Sequence, residues 1–197
     1  MITLFENAEG IVTVNANGKL AKNGAEMNDI NYIENHSVVC ENEIIKDIIP
    51  NTSTNKIKAD RTIDIRGKIV FPGMVECHTH TVFAGNRADE FRQKLSGVDY
   101  EEIAAAGGGI LKTVNSVRNM SFEELLELSK EKVEYFIAQG ITTLEIKSGY
   151  GLSYYDEIKL LQVIQQLNRI FPIDIISTFL GAHTYPPEYK NDHEQYI

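Results

Sequence analysis

Two histidines separated by a single residue, His78 and His80, carry the strongest chemical signal in the sequence. Alternate side chains of a β-strand lie on the same face, so two imidazoles at this spacing can bind one metal ion. The alternative is a histidine pair that only alternates along a half-buried strand. Because the pair lies at the end of a predicted parallel strand, at the edge where α/β folds carry their catalytic groups, the sequence favours metal ligation.

The two residues before this pair, Glu76 and Cys77, have plainer interpretations. Glu76 shares the histidine face if the strand is regular, and its carboxylate could orient an imidazole or form a salt bridge at the floor of the barrel. Cys77 faces the other way and is expected to be a small buried residue beneath the helices. Cys40 and Cys77 form no CxxC pair, which favours free thiols in a reducing cytosol.

The composition indicates a globular protein and argues against two classes of partner. The chain has 197 residues, 43% of them hydrophobic, which suits one large domain or one domain with a smaller module. Its formal net charge of −9 argues against binding to nucleic acid or to an anionic membrane. The first residues lack the basic and apolar segments of a secretory signal, and no apolar run is long enough to span a bilayer. We therefore expect a cytoplasmic location.

Residues 1–68 predict a small β module. Short segments rich in β-branched residues alternate there with Asn, Gly and Asp breaks. The predicted strands are residues 2–5, 11–15, 37–40, 44–48 and 62–65. Residues 17–35 lack clear periodicity and are predicted to form a loop.

Residues 69–197 change to an alternation of strands and helices, which is typical of a parallel α/β fold. The predicted elements are a strand at 69–80, a helix from Ser121 to Gly140, a strand at 141–146, a helix from Ser153 to Pro172 and a strand at 173–180. The first helix is marked by a capping box of Ser121 and Glu124. This order fits a (β/α) barrel or a doubly wound sheet.

The segment IDIRGKIVFPG at residues 63–73, followed by His78 and His80, resembles the opening of the amidohydrolase superfamily. The resemblance implies an α/β fold in which a small N-terminal β module precedes an incomplete (β/α)8 TIM-like barrel. The barrel is expected to stop after about three strands, since a complete one needs about 250 residues. A third metal histidine and a metal-binding aspartate would lie in the absent part. Residues 1–197 alone are then expected to bind metal weakly, to lack turnover and to be poorly soluble.

Three further segments are similar to the imidazolonepropionase family: TVFAGNR at 81–87, EIKSGYGL at 145–152 and LGAHTYPPEY at 180–189. The segment AGGGI at 106–110 also fits. The resemblance implies that Arg87, Tyr150 and His183 bind the substrate. A guanidinium fork suits a propionate carboxylate, and the glycines beside Tyr150 let its ring approach a ligand closely. His183 would hydrogen-bond the ring carbonyl or stabilise charge on it, and the alternative makes His183 a third metal ligand.

Three other residues that could bind metal are expected to have no such role. A lysine at a strand end bridges two metals in some relatives when it is carbamylated, but Lys147 lies on the second strand and does not match that use. His36 and His193 lie outside every matching segment and are expected at the surface.

The resemblance implies a metal-dependent hydrolase that opens a cyclic amide. His78 and His80 would hold one Zn or Fe ion. The substrate would be 4-imidazolone-5-propanoate, converted to N-formimidoyl-L-glutamate in histidine degradation. A homodimer is expected. Two alternatives stay open: another amidohydrolase, such as a heterocycle deaminase, and a non-catalytic truncated fragment.

Overall fold

The structure is a computed structural model that describes the backbone of residues 1–197 and every side chain except those of Ala104 and Ala105. The chain divides into two compact units, Met1–Pro72 and Gly73–Ile197. The division expected from the sequence lay after residue 68. Each unit has its own hydrophobic core.

The first unit consists of short strands in two sheets. Its strands are β1 (Ile2–Glu6), β2 (Gly10–Val12), β3 (Tyr32–Ile33), β4 (His36–Glu41), β5 (Ile44–Pro50), β6 (Arg61–Asp64) and β7 (Ile69–Val70). One sheet has the order β5-β4-β1-β6 and the other the order β3-β2-β7. Short 3-10 helices cover Gly24–Asn28 and Asn51–Lys56. A small core of Ala8, Ile11, Val38 and Ile65 holds the strands together.

Two sequence predictions for this region were partly wrong. The strand predicted at 11–15 ends at Val12, because the chain turns at Val14, where φ is +50°. The loop predicted at 17–35 contains a 3-10 helix and β3, which pairs with β2 through Ile11 and Ile33. A strand of two residues is too short to produce a visible periodicity, so its partner decides its conformation.

The second unit alternates helices with a parallel sheet. Its elements are β8 (Met74–Thr79), α1 (Ala88–Leu95), α2 (Tyr100–Ala105), α3 (Ile110–Asn119), α4 (Phe122–Ala138), β9 (Ile141–Lys147), α5 (Tyr154–Ile170), β10 (Asp174–Thr178) and α6 (His193–Tyr196). A 3-10 helix covers Pro187–Tyr189. The three strands are parallel in the order β10-β9-β8.

The strand predicted at 69–80 is two strands in the structure. Ile69 and Val70 pair with β2 in the first unit, and β8 begins only at Met74. Pro72 separates them, and it has no N–H to donate to a sheet ladder. The Pro72-Gly73 pair is the sequence signal for this break, and the prediction of one strand did not take it into account.

Helices α4 and α5 follow their predictions because both are specified locally. The Ser121 side chain accepts a hydrogen bond from the Glu124 backbone, and the Glu124 carboxylate accepts one from the Ser121 backbone, so the predicted capping box is confirmed. Gly140 follows the helix with φ +83°, a conformation that favours glycine. The apolar faces of the two helices share one core with β9, formed by Leu125, Val133, Leu144, Ile146, Leu160 and Ile164.

The sequence missed helices α1, α2 and α3. The eight residues of α1 bury a single side chain, that of Glu90, so no apolar stripe marks the helix. Helix α3 follows Gly109 and buries Thr113, Val114 and Val117. In the described part of the chain, no helix combines the length and apolar character needed to cross a membrane.

The prediction that Cys77 is buried was wrong, because its side chain is exposed. Strand β8 forms an edge of the sheet, while α4 packs on β9 and α5 packs on β10. Val75, two positions before Cys77, is exposed as well. Strand alternation alone does not show whether the outward face has a helix to cover it.

Candidate functional site

The residues singled out from the sequence lie mostly at one edge of the parallel sheet. His80 directly follows β8, the Tyr150 loop follows β9, and His183 lies in the segment after β10. Parallel strands end at the same edge, so these three connections meet there. The topology therefore explains why residues far apart in sequence form one cluster.

The His78 and His80 rings face each other across a short gap. Their centroids are 6.0 Å apart, and the ring planes make an angle of 63°. Each ring centre would lie roughly 3 Å from an ion that one of its nitrogens binds at about 2 Å. The observed separation therefore fits two imidazoles on one metal ion.

The strand is irregular where it carries the first histidine. The register between β8 and β9 shifts between Glu76 and Thr79. The backbone N–H of Thr79 donates to the Glu145 carboxylate at 3.2 Å, in place of a sheet carbonyl. The Glu76 carboxylate accepts a hydrogen bond of 3.1 Å from the backbone N–H of His78. Glu76 thus supports the backbone of a candidate ligand, whereas the sequence had led us to expect a contact with an imidazole or a cation.

His80 has an imidazole nitrogen available for a ligand. Among the residues that the structure describes, none forms a hydrogen bond with its buried Nδ1. Burial lowers the pKa of His80, and the proximity of His183 and His78 lowers it further. A neutral imidazole keeps the lone pair that a metal requires, so the donor set fits a metal ion. The described side chains gather no group of three or more His, Cys, Asp or Glu residues that could hold one. This gives no support to the alternative of His183 as a third ligand.

Tyr150 and His183 lie close to these histidines. The Tyr150 ring is 5.0 Å from the His80 ring, and the positive charge of a protonated His183 acts on His80. Gly149 has φ +113°, and a Cβ at that position would lie 2.9 Å from Cε1 of His183. Only glycine therefore permits this close approach.

The orientation of the His183 ring fixes its protonation pattern. Its Nδ1 lies 2.8 Å from the carbonyl oxygen of Leu180. A carbonyl can only accept, so Nδ1 carries a proton, and in the neutral ring Nε2 is a hydrogen-bond acceptor. His183 is exposed, which leaves Nε2 accessible to a ligand.

Arg87 lines a different cavity from His80 in the structure. Its Nε donates to the Glu90 carboxylate at 2.6 Å, and this contact raises the pKa of Arg87. Arg87 lines a cavity of about 240 Å³ together with Phe91 and Tyr100, whereas His80 lines a different cavity. Sequence reasoning also missed Glu90, since its role depends on contacts with Arg87 and with the backbone N–H of Gly109.

The other candidate ligands have local partners. Lys147 forms an ion pair with Glu145. His36 is partly buried and contacts the carbonyl of Glu34, so the expectation that it lies at the surface holds only in part. His193 is exposed and stacks on Tyr185 with ring centroids 3.7 Å apart.

A cavity of about 510 Å³ adjoins His80 and contains a lysine that the sequence did not mark. Lys132 of α4 donates to the carbonyl of Phe83 at 2.8 Å and to that of Thr81 at 3.2 Å. Its ammonium also lies 3.6 Å from the centre of the Phe83 ring. The hydrogen bonds of Lys132 therefore connect residues 81–83, which follow His80, to helix α4.

Lys132 should make the free energy of unfolding depend on pH in the alkaline range. Burial lowers its pKa from 10.5 to about 8. Between these values the unfolded chain holds a proton that the folded chain has lost, so the free energy of unfolding rises with pH. After allowance for solvent screening, this contribution is about 1 kcal/mol. Urea unfolding of the full-length protein at several pH values should show this rise in the free energy of unfolding, and Lys132→Met should remove it.

The control is Lys130→Met on the same helix, which should keep the rise. A Lys132→Met profile of unfolding free energy against pH that is parallel to that of the parent would contradict the assignment.

Comparison with solved structures defines the class of fold. The guanine deaminase of E. coli matches with a TM-score of 0.62 at 14% identity, covering 95% of this chain and 38% of that one. The atrazine chlorohydrolase of Arthrobacter aurescens complexed with zinc matches with a TM-score of 0.56 at 15% identity, covering 90% and 35%. The chain therefore has the α/β fold seen in amidohydrolase enzymes.

Comparison with curated proteins narrows this class. The chain is 42% identical over 197 residues to the imidazolonepropionase of Christiangramia forsetii, covering all of this chain and 48% of that protein. It is 46% identical over 177 residues to the imidazolonepropionase of Geobacillus thermodenitrificans, covering 87% and 42%. No protein-family model matches. The chain is thus similar to imidazolonepropionases along its whole length, and it spans about half the length of these relatives.

Proposed function

We propose that this chain is part of an imidazolonepropionase, which hydrolyses 4-imidazolone-5-propanoate to N-formimidoyl-L-glutamate in histidine degradation. The observation that carries the proposal is the 42% identity to such an enzyme across all 197 residues. The grouping of His78, His80, Tyr150 and His183 at one sheet edge supports it independently. The reaction breaks a C–N bond of a cyclic amide, so the protein would be a hydrolase.

The two units have distinct parts in this proposal. Residues 1–68 would be the N-terminal β module, and residues 69–197 would be the first part of an incomplete (β/α)8 barrel. The parallel order β10-β9-β8 and the helices between the strands support this architecture. The substrate would bind at the carboxyl edge of the strands, as in other α/β barrels.

His78 and His80 would hold one metal ion, either zinc or iron. When bound, such an ion supplies an activated water at neutral pH and polarises a carbonyl oxygen. The residues of this chain contribute two imidazoles, and a catalytic zinc site needs at least three protein ligands. The remaining ligands would come from outside residues 1–197. We therefore expect these residues alone to be inactive.

Three residues would bind the substrate. Arg87 would bind the propionate carboxylate with the Nη edge of its guanidinium group, because Glu90 engages its Nε. Tyr150 would contact the heterocycle beside His80. His183 would accept a hydrogen bond at Nε2 when neutral, and it would donate to the ring carbonyl only when Nε2 is also protonated. In the protonated form it would stabilise negative charge that develops on that oxygen.

The cellular setting follows from the same assignment. The partner would be a small molecule, with no role for nucleic acid or a membrane surface. The full-length protein would act in the cytoplasm, as a homodimer. The net charge of −9 supports the exclusion of nucleic acid.

The test is turnover by the full-length gene product loaded with zinc or iron. We expect consumption of 4-imidazolone-5-propanoate, formation of N-formimidoyl-L-glutamate, and loss of both after treatment with a chelator. Guanine serves as the comparison substrate, since guanine deaminase shares the fold. A metal-loaded protein that deaminates guanine and leaves the imidazolone intact would overturn the proposal.

A further inference from the structure

Glu157 is a buried carboxylate whose hydrogen bonds all go to the loop that follows β9. Its residue is 3% exposed and lies in the first turn of α5. Oε2 accepts from the backbone N–H of Gly149, and Oε1 accepts from those of Gly151 and Leu152, all at 2.8 Å. One side chain thus binds three backbone donors around Tyr150.

Helix α5 does not need Glu157 as its cap. The Ser153 hydroxyl already accepts a hydrogen bond from the backbone of Asp156, which is the usual arrangement at a helix start. The Glu157 carboxylate is directed away from the helix and towards the loop. A Cβ on Gly151 would lie 2.6 Å from the Glu157 backbone nitrogen, so glycine at this position lets the loop pack closely against the first turn of α5.

Arg118 holds the same loop from its carbonyl side. Its Nε donates to the carbonyl of Gly151 and its Nη2 to that of Leu152, both at 2.7 Å. Its Nη1 forms an ion pair of 2.6 Å with Glu188, in the segment after β10. Leu152 has φ +48°, a conformation that residues with a Cβ rarely adopt, so the loop needs these contacts to keep its shape.

The anchored loop carries two contacts with the candidate site. The Tyr150 ring packs 5.0 Å from the His80 ring, and Gly149 lies against the His183 ring. We propose that Glu157, assisted by Arg118, is a positioning residue that presents Tyr150 to the substrate. The inference rests on the proposed function. It assigns to Glu157 no contact with the substrate itself.

The first test separates positioning from general stability in the full-length, metal-loaded enzyme. We expect Glu157→Gln to raise KM for 4-imidazolone-5-propanoate by roughly tenfold or more, with unchanged metal content. In a Tyr150→Ala background the same change should alter KM less than about twofold, because the contact through which Glu157 acts is already absent. Glu124→Gln, the matching change at the first turn of α4, should leave KM unchanged. An equal effect of Glu157→Gln in both backgrounds would overturn the proposal.

The second test does not depend on turnover. Hydrogen exchange of the Gly149, Gly151 and Leu152 amides should accelerate in Glu157→Gln and stay at the parental rate in Glu124→Gln. If Glu157→Gln does not fold, Arg118→Gln replaces it, since this partly exposed side chain holds the loop from the opposite side. Unchanged exchange in the folded variant contradicts the anchoring role. If Glu157→Gln accelerates the exchange of these amides as expected but the parent protein does not turn over the imidazolone, the result counts against the proposed function and not against the anchoring role.

Discussion

Replacing His80 by alanine in the full-length protein should abolish metal binding and lower kcat by about three orders of magnitude or more, since a catalytic metal supplies several kcal/mol of transition-state stabilisation. Metal content measured on the purified protein and turnover of 4-imidazolone-5-propanoate check the two effects. The expectation follows from the buried, unpartnered Nδ1 of His80 among the described residues and from the 6.0 Å separation of its ring from His78.

The control for this experiment is His193→Ala. His193 lies in the same unit but is exposed and stacked on Tyr185, so its loss should leave metal content and kcat near parental values. The folding of both variants is compared by circular dichroism. A folded His80→Ala protein that retains stoichiometric metal would remove the basis for assigning a metal site here.

Replacing Arg87 by methionine should raise KM for the propionate substrate by roughly 10- to 100-fold, which corresponds to the 1.5–3 kcal/mol of a hydrogen bond to a charged group. The thioether side chain keeps part of the packing volume of Arg87 and removes its charge. For a neutral amide analogue of the substrate, Arg87→Met should change KM little, because the analogue offers no carboxylate to the guanidinium group. Steady-state kinetics with both compounds provide the measurement.

Arg92→Met is the matched control for Arg87, because Arg92 lies on α1, which begins directly after Arg87, and its side chain is 79% exposed. It should leave KM for both compounds unchanged. The comparison matters because Arg87 lies in a different cavity from His80 in residues 1–197. If Arg87→Met weakens the acid and its amide equally, the side chain supports the local structure and does not recognise the carboxylate.

Local signals explain which parts of the fold could be predicted. The Ser121 capping box and the helical spacing of apolar residues specify α4 within a few residues of sequence. By contrast, α1 buries only Glu90, and β3 exists because two residues pair with β2. Elements whose stability comes from distant partners leave no periodic pattern in a single sequence. The exposure of Cys77 is of the same kind, since it depends on which strand lies at the sheet edge.

For the candidate site, the sequence predicted the candidate residues themselves but not the contacts that support them. The spacing of His78 and His80 marked that pair as candidate ligands, and the resemblance to the imidazolonepropionase family marked His183 and Tyr150 as candidate substrate contacts. The contacts that support these residues were not predictable. Glu157 and Gly149 are eight positions apart, and Lys132 lies far along the chain from Phe83. A buried carboxylate or lysine reveals its partners only after the chain has folded.

The irregular pairing at the end of β8 limits how the sequence around the histidines can vary in length. The Glu145 side chain, in place of a strand carbonyl, binds the Thr79 backbone and terminates the ladder there. A residue inserted between His78 and Thr79 would rotate one imidazole to the opposite side and displace Thr79 from Glu145. Libraries that vary loop length for new substrates should therefore leave residues 76–80 intact and place their insertions in the exposed turn at 96–99.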